Sequence, residues 1–333
     1  MKVLIVRLSA LGDIIHTLPL ALNARIGGAT VGWLTESQYG PLLEGNPSVE
    51  RLFLADTRRW RRSPAASRPL RAIADLRRAL REFAPDATLD PQGLWKSALL
   101  ARLAGAPVVS FSAKSRREPS SGVLVGMGVD VPGETEHVVD QNLSLLTPLR
   151  LPVRRRAPDA RYLLERVSPD AAAFLRALPV PFALYHPGAA RSEKAWGEQN
   201  YAGLAPRLQG ELGFHPVISW GPGDEQRAAT LSRRLPDAVK IPRLDLRGLA
   251  HVMSRASLFV AGDTGPVHLA DALGVPALAL FGPGAYRRNV PARNRPYRGV
   301  ALGYDQAASV ETVARRAVDL VTSAGIIDDA KGR

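Results

Sequence analysis

Groups with four different kinds of chemistry lie close together in the stretch FVAGDTGPVHLADALGVPALALFGP, residues 259–283. Its apolar start breaks at Gly262-Asp263-Thr264-Gly265, His268 follows, and apolar residues then recur at helical spacing before a second apolar run. This pattern predicts a strand, a turn and a helix. A carboxylate, a hydroxyl, an imidazole and the backbone amides of a helix start can together bind a phosphate-bearing ligand.

A second strand-to-helix turn lies in the opening segment MKVLIVRLSALGDIIHTLPLA. A strand is predicted to end at Arg7, and Asp13 stands where an amphipathic helix begins. Ligands of open α/β sheets bind beyond the carboxyl ends of strands, so Asp13 can accept a proton from a substrate hydroxyl. The alternative is an ordinary helix-cap carboxylate. The turn lacks the GxGxxG pattern, which argues against a dinucleotide-dependent oxidoreductase.

Arginine side chains concentrate around Trp60 in the segment TRRWRRSPAASRPLR, residues 57–71. The segment has almost no apolar periodicity and is predicted to be a mobile loop. Its guanidinium groups can bind phosphates through charge-assisted hydrogen bonds, whereas the alternative is a solvated run of charge. The arginines concerned are Arg58, Arg59, Arg61 and Arg62.

Two further loops of the first half carry positive charge. In DPQGLWKSA, Lys96 falls in the first turn of a predicted helix, where a cation opposes the helix dipole. An anionic partner would offset that unfavourable interaction. SRREP adds Arg116 and Arg117 from the next loop. Three strand-end loops at one edge of the predicted sheet are therefore basic.

Two turns of the second half are typical of anion and ribose binding. YHPGAARSEKAWGEQNY places Lys194 after a Gly-containing loop and just before a helix, an arrangement that suits an anion, with a surface lysine as the alternative. SWGPGDEQRA places Glu225 near a helix start, where it can cap the helix or bind ribose hydroxyls. His16 and His251 lie on predicted helices, and we assign them no functional role.

The elements that must position these groups alternate along the chain, as in parallel α/β sheets. The predicted strands are Lys2–Arg7, Thr30–Thr35, Arg51–Ala55, Ala87–Asp90, Val108–Phe111, Phe182–His186, Pro216–Trp220, Leu258–Ala261 and Ala277–Phe281. The predicted helices are Asp13–Arg25, Leu70–Phe83, Leu94–Leu103, Tyr201–Glu211, Glu225–Leu235, Leu246–Arg255, Val267–Leu273 and Val310–Val321. Two similar α/β domains follow, with a linker predicted at Leu151–Asp159.

Composition limits the class of protein and its partners. A chain of 333 residues is long enough for two domains, and the absence of Cys excludes disulfides, thiolate metal sites and a Cys nucleophile. No apolar stretch approaches the length of a membrane span, so a soluble protein is expected. The net charge of +13 indicates an anionic partner such as a phosphorylated substrate, a membrane surface or nucleic acid, unless Arg-rich codon usage explains much of it.

The chain resembles the ADP-heptose:lipopolysaccharide heptosyltransferases, the ninth glycosyltransferase family. The matching segments are KVLIVRLSALGDIIHTLP, RRWRR, DPQGLWKSALL, REP, KAW, WGPGDEQRA and DTGPVHLADALGVP. Within the family, RRWRR, QGLxKSA and REP are most similar to the heptosyltransferase I group. The resemblance implies the α/β GT-B architecture: an acceptor-binding Rossmann-like domain over residues 1–160 and a nucleotide-sugar-binding one over 161–308, facing a central cleft. A helix within 309–333 is expected to pack back on the first domain.

The same resemblance implies inverting transfer of L-glycero-D-manno-heptose from ADP-heptose to a Kdo residue of lipid A. It assigns the general base to Asp13 and the stabilising ammonium to Lys194. The implied donor-binding residues are Ala189, Ala190, Lys194, Glu225, Leu244, Asp263, Thr264, Gly265 and His268. The implied acceptor-binding residues are Ser9, Gly12, Arg58, Arg59, Arg61, Arg62, Gln92, Lys96 and Arg117.

One departure from the family concerns Ala189 and Ala190, which stand where close relatives carry two hydroxyl residues. Side-chain hydrogen bonds to the diphosphate are lost there, which affects donor affinity and identity. No Asp-x-Asp metal handle is present, and neither a metal nor a cofactor is expected. The expected partners are an ADP-sugar, Kdo-bearing lipid A and an anionic inner-leaflet surface, with cytoplasmic, peripheral localisation and no nucleic acid.

Other functions remain open at this point. One alternative is a transferase of the same family that uses another acceptor or another nucleotide-sugar donor. A nucleotide-sugar epimerase of the same two-domain fold needs no acceptor site, so the basic segment and Lys96 count against it. A basic nucleic-acid-binding protein is favoured by the net charge alone, and the chain shows no recognised nucleic-acid-binding module.

Overall fold

The structure is a computed structural model, and it describes residues 1–62, 67–131, 137–167, 169–188, 196–281, 299–303 and 309–323. The chain divides into two compact units, Met1–Pro158 and Asp159–Arg333. This division lies two residues before the predicted boundary at 160/161 and within the predicted linker, where residues 151–160 form neither helix nor strand. The described helices include none that is long and apolar enough to cross a membrane.

The first unit contains a parallel sheet in which the described strands run in the order β3-β2-β1-β4-β5-β6. The strands are β1 (Lys2–Val6), β2 (Thr30–Glu36), β3 (Arg51–Ala55), β4 (Ala87–Asp90), β5 (Val108–Phe111) and β6 (Met127–Val129). Val3 of β1 lies opposite Val31 of β2 and Ala87 of β4. Since the strand order reverses at β1, the carboxyl end of β1 is the switch point where ligands of open α/β sheets bind.

Helices connect these strands on the two faces of the sheet. They are α1 (Leu11–Ile15), α2 (Leu18–Ile26), α3 (Gly40–Leu43), α4 (Thr57–Arg62), α5 (Ser67–Phe83), α6 (Trp95–Arg102) and α7 (Val138–Ser144). The single helix predicted over Asp13–Arg25 is therefore two helices. Pro19 lies in the first turn of α2 and has no N–H to continue the hydrogen-bond ladder from α1, so the chain restarts after Thr17.

The prediction of a mobile loop over residues 57–71 is wrong for residues 57–62 and 67–71, and residues 63–66 lie outside the described part of the chain. Thr57–Arg62 is helix α4, and α5 begins at Ser67, three residues before its predicted start at Leu70. The Trp60 N–H donates to the Asp56 carbonyl at 2.9 Å, and the Trp60 ring packs against the core of the unit. Only one apolar side chain of α4 reaches the core, which is why the sequence shows no helical periodicity there.

Helix α5 has the apolar spacing of a helix packed on a sheet. Leu76, Leu80 and Phe83 are buried and join the core with Phe53 of β3. The Phe53 and Phe83 rings meet edge to face with centroids 5.6 Å apart. This contact fixes α5 across β3 and leaves its arginine-bearing side outside the core.

The second unit repeats the architecture, with described strands in the order β12-β11-β10-β7-β8-β9. They are β7 (Phe182–His186), β8 (His215–Ile218), β9 (Val239–Lys240), β10 (Leu258–Gly262), β11 (Ala277–Phe281) and β12 (Gly299–Gly303). The helices are α8 (Pro169–Ala177), α9 (Glu198–Leu212), α10 (Glu225–Arg234), α11 (Leu246–Arg255), α12 (Gly265–Leu273) and α13 (Val310–Ser323). The predicted class of two parallel α/β sheets is confirmed. Strands β6, β9 and β12 are additions to the predicted set.

Helix α13 packs within the second unit, and its expected packing on the first domain stays a prediction. Its buried residues Val313, Ala317 and Leu320 share a core with Tyr201 and Leu208 of α9. These positions recur at helical spacing, so the apolar face of α13 is already filled by its own unit. Residues 324–333 lie outside the described part of the chain.

Gly32 in β2 lies against the Phe53–Phe83 contact, and a larger residue there tests how tightly this part of the core is packed. A Cβ at Gly32 would lie 2.9 Å from Phe83 and 3.1 Å from Phe53. We expect Gly32→Ala to lower the free energy of unfolding by about 1–3 kcal/mol through overpacking. Urea unfolding followed by circular dichroism measures the change.

Gly210 in α9 is the matched control, because a Cβ there would meet no atom within 4 Å. Gly210→Ala should stabilise the protein by about 0.5–1 kcal/mol through helix propensity. Equal effects of the two substitutions would contradict the packing argument for Gly32.

Candidate active site

Asp13 lies at the switch point of the first sheet, in the first turn of α1. Its Oδ1 is 2.8 Å from Arg7 Nη2 and 3.8 Å from Arg117 Nη2, and its Oδ2 accepts the Ala10 N–H at 3.3 Å. The carboxylate is only partly exposed, with two guanidinium groups beside it. Asp13 thus makes the contact expected of a helix-cap carboxylate. The two guanidinium groups beside it also hold its carboxylate in one orientation.

Arg7 connects the turns that follow the two central strands. It is 2% exposed, and its Nη1 donates to the Pro91 carbonyl at 2.6 Å beyond β4. Burial lowers the pKa of Arg7, and the negative charge of Asp13 opposes that shift. The sequence pattern identifies Arg7 only as the last residue of a predicted strand and does not indicate that it connects two turns. A charged residue directly after four buried strand residues was the available signal for its role.

Lys96 has an anionic partner inside the first unit. Its Nζ lies 3.0 Å from Glu36 Oε1 at the end of β2 and 3.4 Å from Thr57 Oγ1 at the start of α4. Glu36 is buried and also accepts hydrogen bonds from the Thr57 hydroxyl and the Thr57 N–H. The unfavourable placement of a cation in the first turn of α6 is therefore offset by Glu36, which the sequence did not single out.

The arginines of α4 form one side of a basic pocket. A cavity of about 640 Å³ is lined by Arg58, Arg59 and Arg62, together with Trp60 and Arg68, and Asp56 is the one carboxylate in the described lining. Arg61 is exposed on the same helix and does not line this cavity. The helix presents three of the four predicted arginines to one space, which can accommodate an anionic ligand.

Tyr39 is a further polar group of this region that the sequence did not indicate. Burial raises the pKa of its phenol, and the positive charge of Arg58 opposes that shift. Its charge environment also includes Glu36 and Asp13. The Tyr39 hydroxyl is thus part of the charged carboxyl edge of the sheet.

Two residues from the basic loops support the fold. Gln92 is buried, and its Oε1 accepts the Leu8 N–H at 2.8 Å, so it links the same two turns as Arg7. Arg116 is buried against Asp90 at 3.4 Å, and burial raises the pKa of Asp90. Arg117 is exposed and is the member of this loop that reaches Asp13. Of the small residues predicted here, Ser9 is half-buried and Gly12 is buried.

In the second unit, His186 ends β7 and makes contacts with the turn after β8. Its Nδ1 lies 3.1 Å from Ser219 Oγ, and its Nε2 lies 3.7 Å from Asp224 Oδ2. Burial lowers the pKa of His186 to about 4 and raises the pKa of Asp224. His186 is therefore neutral at neutral pH, and its contact with Asp224 is not an ion pair.

Gly188 lets the turn after β7 come close to the turn after β8. A Cβ at this position would lie 2.3 Å from Asp224 Oδ2 and 2.5 Å from its Cγ. Glu225 begins α10 and accepts the Gly223 N–H at 2.9 Å, a contact within the turn that precedes the helix. Leu244 is half-buried after β9. These turns lie along the carboxyl edge of the second sheet.

The turn after β10 places a buried hydroxyl at the start of α12. Thr264 is buried, and among the described residues its Oγ1 has no hydrogen-bond partner. Asp263 and Gly265 are half-buried on either side of it, and His268 is buried one turn into the helix. A hydroxyl donor beside a helix N-terminus is suited to an oxygen-rich anionic ligand. The predicted Ala189, Ala190 and Lys194 lie outside the described residues.

Among the described residues, no group of three or more His, Asp or Glu side chains is arranged to hold a metal ion.

The lowered pKa of His186 predicts a pH-dependent loss of stability. Unfolded His186 binds a proton as the pH falls through its ordinary pKa of about 6.5, whereas the folded residue does not until about pH 4. Its contribution to unfolding free energy should therefore fall by about 2 kcal/mol between about pH 7 and about pH 5. Urea titrations at both pH values measure the loss.

His186→Asn should remove this part of the pH dependence. His215→Asn is the control, because His215 is exposed and should leave the pH dependence unchanged. Parallel pH profiles for wild type and His186→Asn would contradict the assignment.

Comparison with known proteins identifies the family. The profile of glycosyltransferase family 9 (heptosyltransferase) matches residues 73–315. Lipopolysaccharide heptosyltransferase 1 of Pseudomonas aeruginosa is 34% identical over 303 residues, which cover 87% of this chain and 82% of the relative. The structure of Escherichia coli heptosyltransferase WaaC with ADP-2-deoxy-2-fluoro heptose superposes with a TM-score of 0.75 at 26% identity. That match covers 98% of this chain and 100% of WaaC.

A more distant likeness extends to UDP-GlcNAc 2-epimerase of Neisseria meningitidis, with a TM-score of 0.54 at 15% identity over 97% of this chain and 92% of the epimerase. At that identity the likeness shows a shared fold alone. The family profile and the heptosyltransferase relative separate the present chain from the epimerases. The chain is a glycosyltransferase and belongs to glycosyltransferase family 9, the heptosyltransferases.

Proposed function

We propose that this enzyme transfers L-glycero-D-manno-heptose from ADP-heptose to a Kdo residue of lipid A, with inversion at the anomeric carbon. The proposal is supported by the P. aeruginosa relative, a lipopolysaccharide heptosyltransferase 1, and by WaaC, whose structure contains an ADP-linked fluoro heptose. The observation that carries it is the Asp13 carboxylate, held by Arg7 at the switch point of the first sheet.

The reaction needs a base for the acceptor hydroxyl. In this proposal Asp13 accepts the hydroxyl proton while the acceptor oxygen forms a bond to the anomeric carbon. The bond from that carbon to the ADP phosphate oxygen breaks on the opposite face. Arg7 acts as a positioning residue, because its contacts with Asp13 and the Pro91 carbonyl hold the carboxylate in one orientation.

The departing diphosphate needs positive potential and hydrogen-bond donors. The Thr264 hydroxyl and the start of α12 at Gly265 are suited to this role, because the hydroxyl is buried and lacks a protein partner among the described residues. By family resemblance Lys194 supplies the ammonium, Glu225 binds ribose, and Asp263 and His268 bind the heptose or the diphosphate. These groups would replace a metal ion, which the proposal does not require.

The acceptor carries a sugar carboxylate and phosphates, and the basic pocket on α4 matches that chemistry. Arg58, Arg59 and Arg62 can each donate hydrogen bonds to an anionic oxygen. Lys96 is half-exposed, so it can contribute positive potential while remaining paired with Glu36. Because lipid A is anchored in a membrane, the proposal includes peripheral binding at the cytoplasmic face of the inner membrane.

Asp13→Asn tests the base. The amide keeps the size of the side chain and cannot accept the proton, so kcat should fall at least about a thousandfold. ADP binding should change by less than about twofold, because Asp13 acts on the acceptor. An ADP-release assay and calorimetry with ADP measure the two quantities.

The control is Asp237→Asn, an exposed aspartate in the turn before β9, which should leave both quantities unchanged. Normal turnover by Asp13→Asn would remove Asp13 from the mechanism.

Substitution of Arg58 and Arg62 by Gln tests the acceptor pocket. Losing a charge-assisted hydrogen bond should raise the acceptor KM by about tenfold per position with little change in kcat. The wild-type KM should also rise with salt, and this dependence should weaken in the variants. Arg25→Gln, an exposed arginine of α2, is the control. An unchanged acceptor KM in the double variant would contradict the assignment.

A further inference from the structure

Large apolar side chains are exposed on α5, on α6 and on a short 3₁₀ helix of the first unit. Leu70 of α5 is 67% exposed, Leu99 of α6 is 54% exposed and Trp95 of α6 is 39% exposed. Val123 is 78% exposed and lies in the short 3₁₀ helix Pro119–Leu124, which contacts α6. Trp95 also donates its indole N–H to Ser120 Oγ at 3.1 Å, which links α6 to that segment.

These side chains continue into a groove between α5 and the end of α6. The groove has a volume of about 640 Å³, and its apolar lining is Leu70, Ile73, Ala74 and Leu103. Three arginines of α5, Arg77, Arg78 and Arg81, form the basic part of the lining, and Glu82 of the same helix adds one carboxylate. We call the exposed apolar residues of α5, α6 and the 3₁₀ helix, with these three arginines, the apolar-arginine face.

The charge of this face is strongly positive. Helix α5 carries five arginines and two carboxylates, and Arg102 is exposed on α6. Arg78 pairs with Asp75 at 2.7 Å, so Arg77 and Arg81 are the better candidates for contact with an external anion. Long arginine stems can lie along apolar surface while their charged ends reach phosphate groups.

Helix α5 also connects this face to the basic pocket. Arg68, Pro69 and Ala72 line the pocket with α4, whereas Leu70, Ile73 and Ala74 line the groove. Neighbouring residues in the first turns of α5 thus line two different spaces, the basic pocket and the groove. A ligand anchored in a surface against the apolar-arginine face would meet the pocket of α4 directly beside it.

We propose that the apolar-arginine face binds the surface of an anionic lipid bilayer. Amphipathic helices that combine exposed apolar side chains with arginines bind at the interface of such a bilayer, and each basic residue near the surface strengthens binding. An indole at the edge of the patch suits the headgroup region. This inference rests on the proposed function, because it explains how the enzyme reaches a membrane-anchored acceptor.

Vesicle sedimentation tests the proposal with the full chain. Vesicles of phosphatidylcholine with about 30% phosphatidylglycerol should sediment the wild-type protein, and vesicles of phosphatidylcholine alone should not. Arg77→Glu/Arg81→Glu should weaken binding by at least about tenfold, and Leu70→Ser/Leu99→Ser should also weaken it. All four side chains are exposed or lie on exposed helix faces, and circular dichroism confirms that the variants fold.

The matched control is Arg233→Glu/Arg234→Glu on α10, which makes the same change in net charge on exposed arginines of the other unit. It should bind the anionic vesicles like wild type. Equal losses in both charge-reversal variants would show that net charge alone drives binding and would overturn the proposal. Failure of wild type to bind the anionic vesicles would overturn it too, as would undiminished binding by the Arg77/Arg81 variant.

A second measurement separates this proposal from the proposed function. On a deacylated, water-soluble Kdo acceptor, Arg77→Glu/Arg81→Glu should keep wild-type kcat and KM, whereas on acceptor held in anionic vesicles its rate should fall in parallel with binding. If wild type does not use the soluble acceptor, the proposed function fails while the sedimentation result still decides the surface. Equal rates of variant and wild type on vesicle-held acceptor would contradict the role of the face in substrate access.

Discussion

The ion pair between Arg7 and Asp13 is the interaction on which the candidate site of the first unit depends. A guanidinium as buried as Arg7 needs partners, and it finds them in the Asp13 carboxylate and the Pro91 carbonyl. Because these partners come from the turns after β1 and β4, the pair joins both sides of the switch point. The proposed catalytic carboxylate is thus positioned by the fold itself, and Gln92 reinforces the same junction through the Leu8 N–H.

Much of this arrangement could be predicted because it follows from simple patterns. Buried strands such as Ala87–Asp90 and Val108–Phe111 were found with the correct bounds, since short apolar runs between turn residues are typical of parallel sheets. The strands that were not predicted have weaker patterns. Val239–Lys240 has only two residues, and Met127–Val129 is an exposed edge strand. Family resemblance, more than periodicity, supplied the roles of the site residues.

The wrong or missing predictions concern segments and side chains whose structure is decided by contacts between residues distant in sequence. Helix α4 has one apolar residue, Trp60, and its start depends on Glu36, which is distant in sequence. The partners of Lys96 and Arg116 are likewise carboxylates brought close by strand order. The sequence identifies these basic residues. It does not distinguish the basic residues that pair with carboxylates inside the unit from those, like Arg58, that line an open pocket.

The attachment of α4 has a consequence for how enzymes of this architecture can diversify. The helix is fixed at its first turn by the contacts of Thr57 with Glu36, whereas Arg58, Arg59 and Arg62 line the cavity. The contacts that hold Arg7 come instead from the turns after β1 and β4. Under the proposed function, substitutions on α4 can therefore change which anionic sugar is accepted while the Arg7–Asp13 pair stays intact. Such separation lets a single scaffold acquire new acceptors by changes on one short helix.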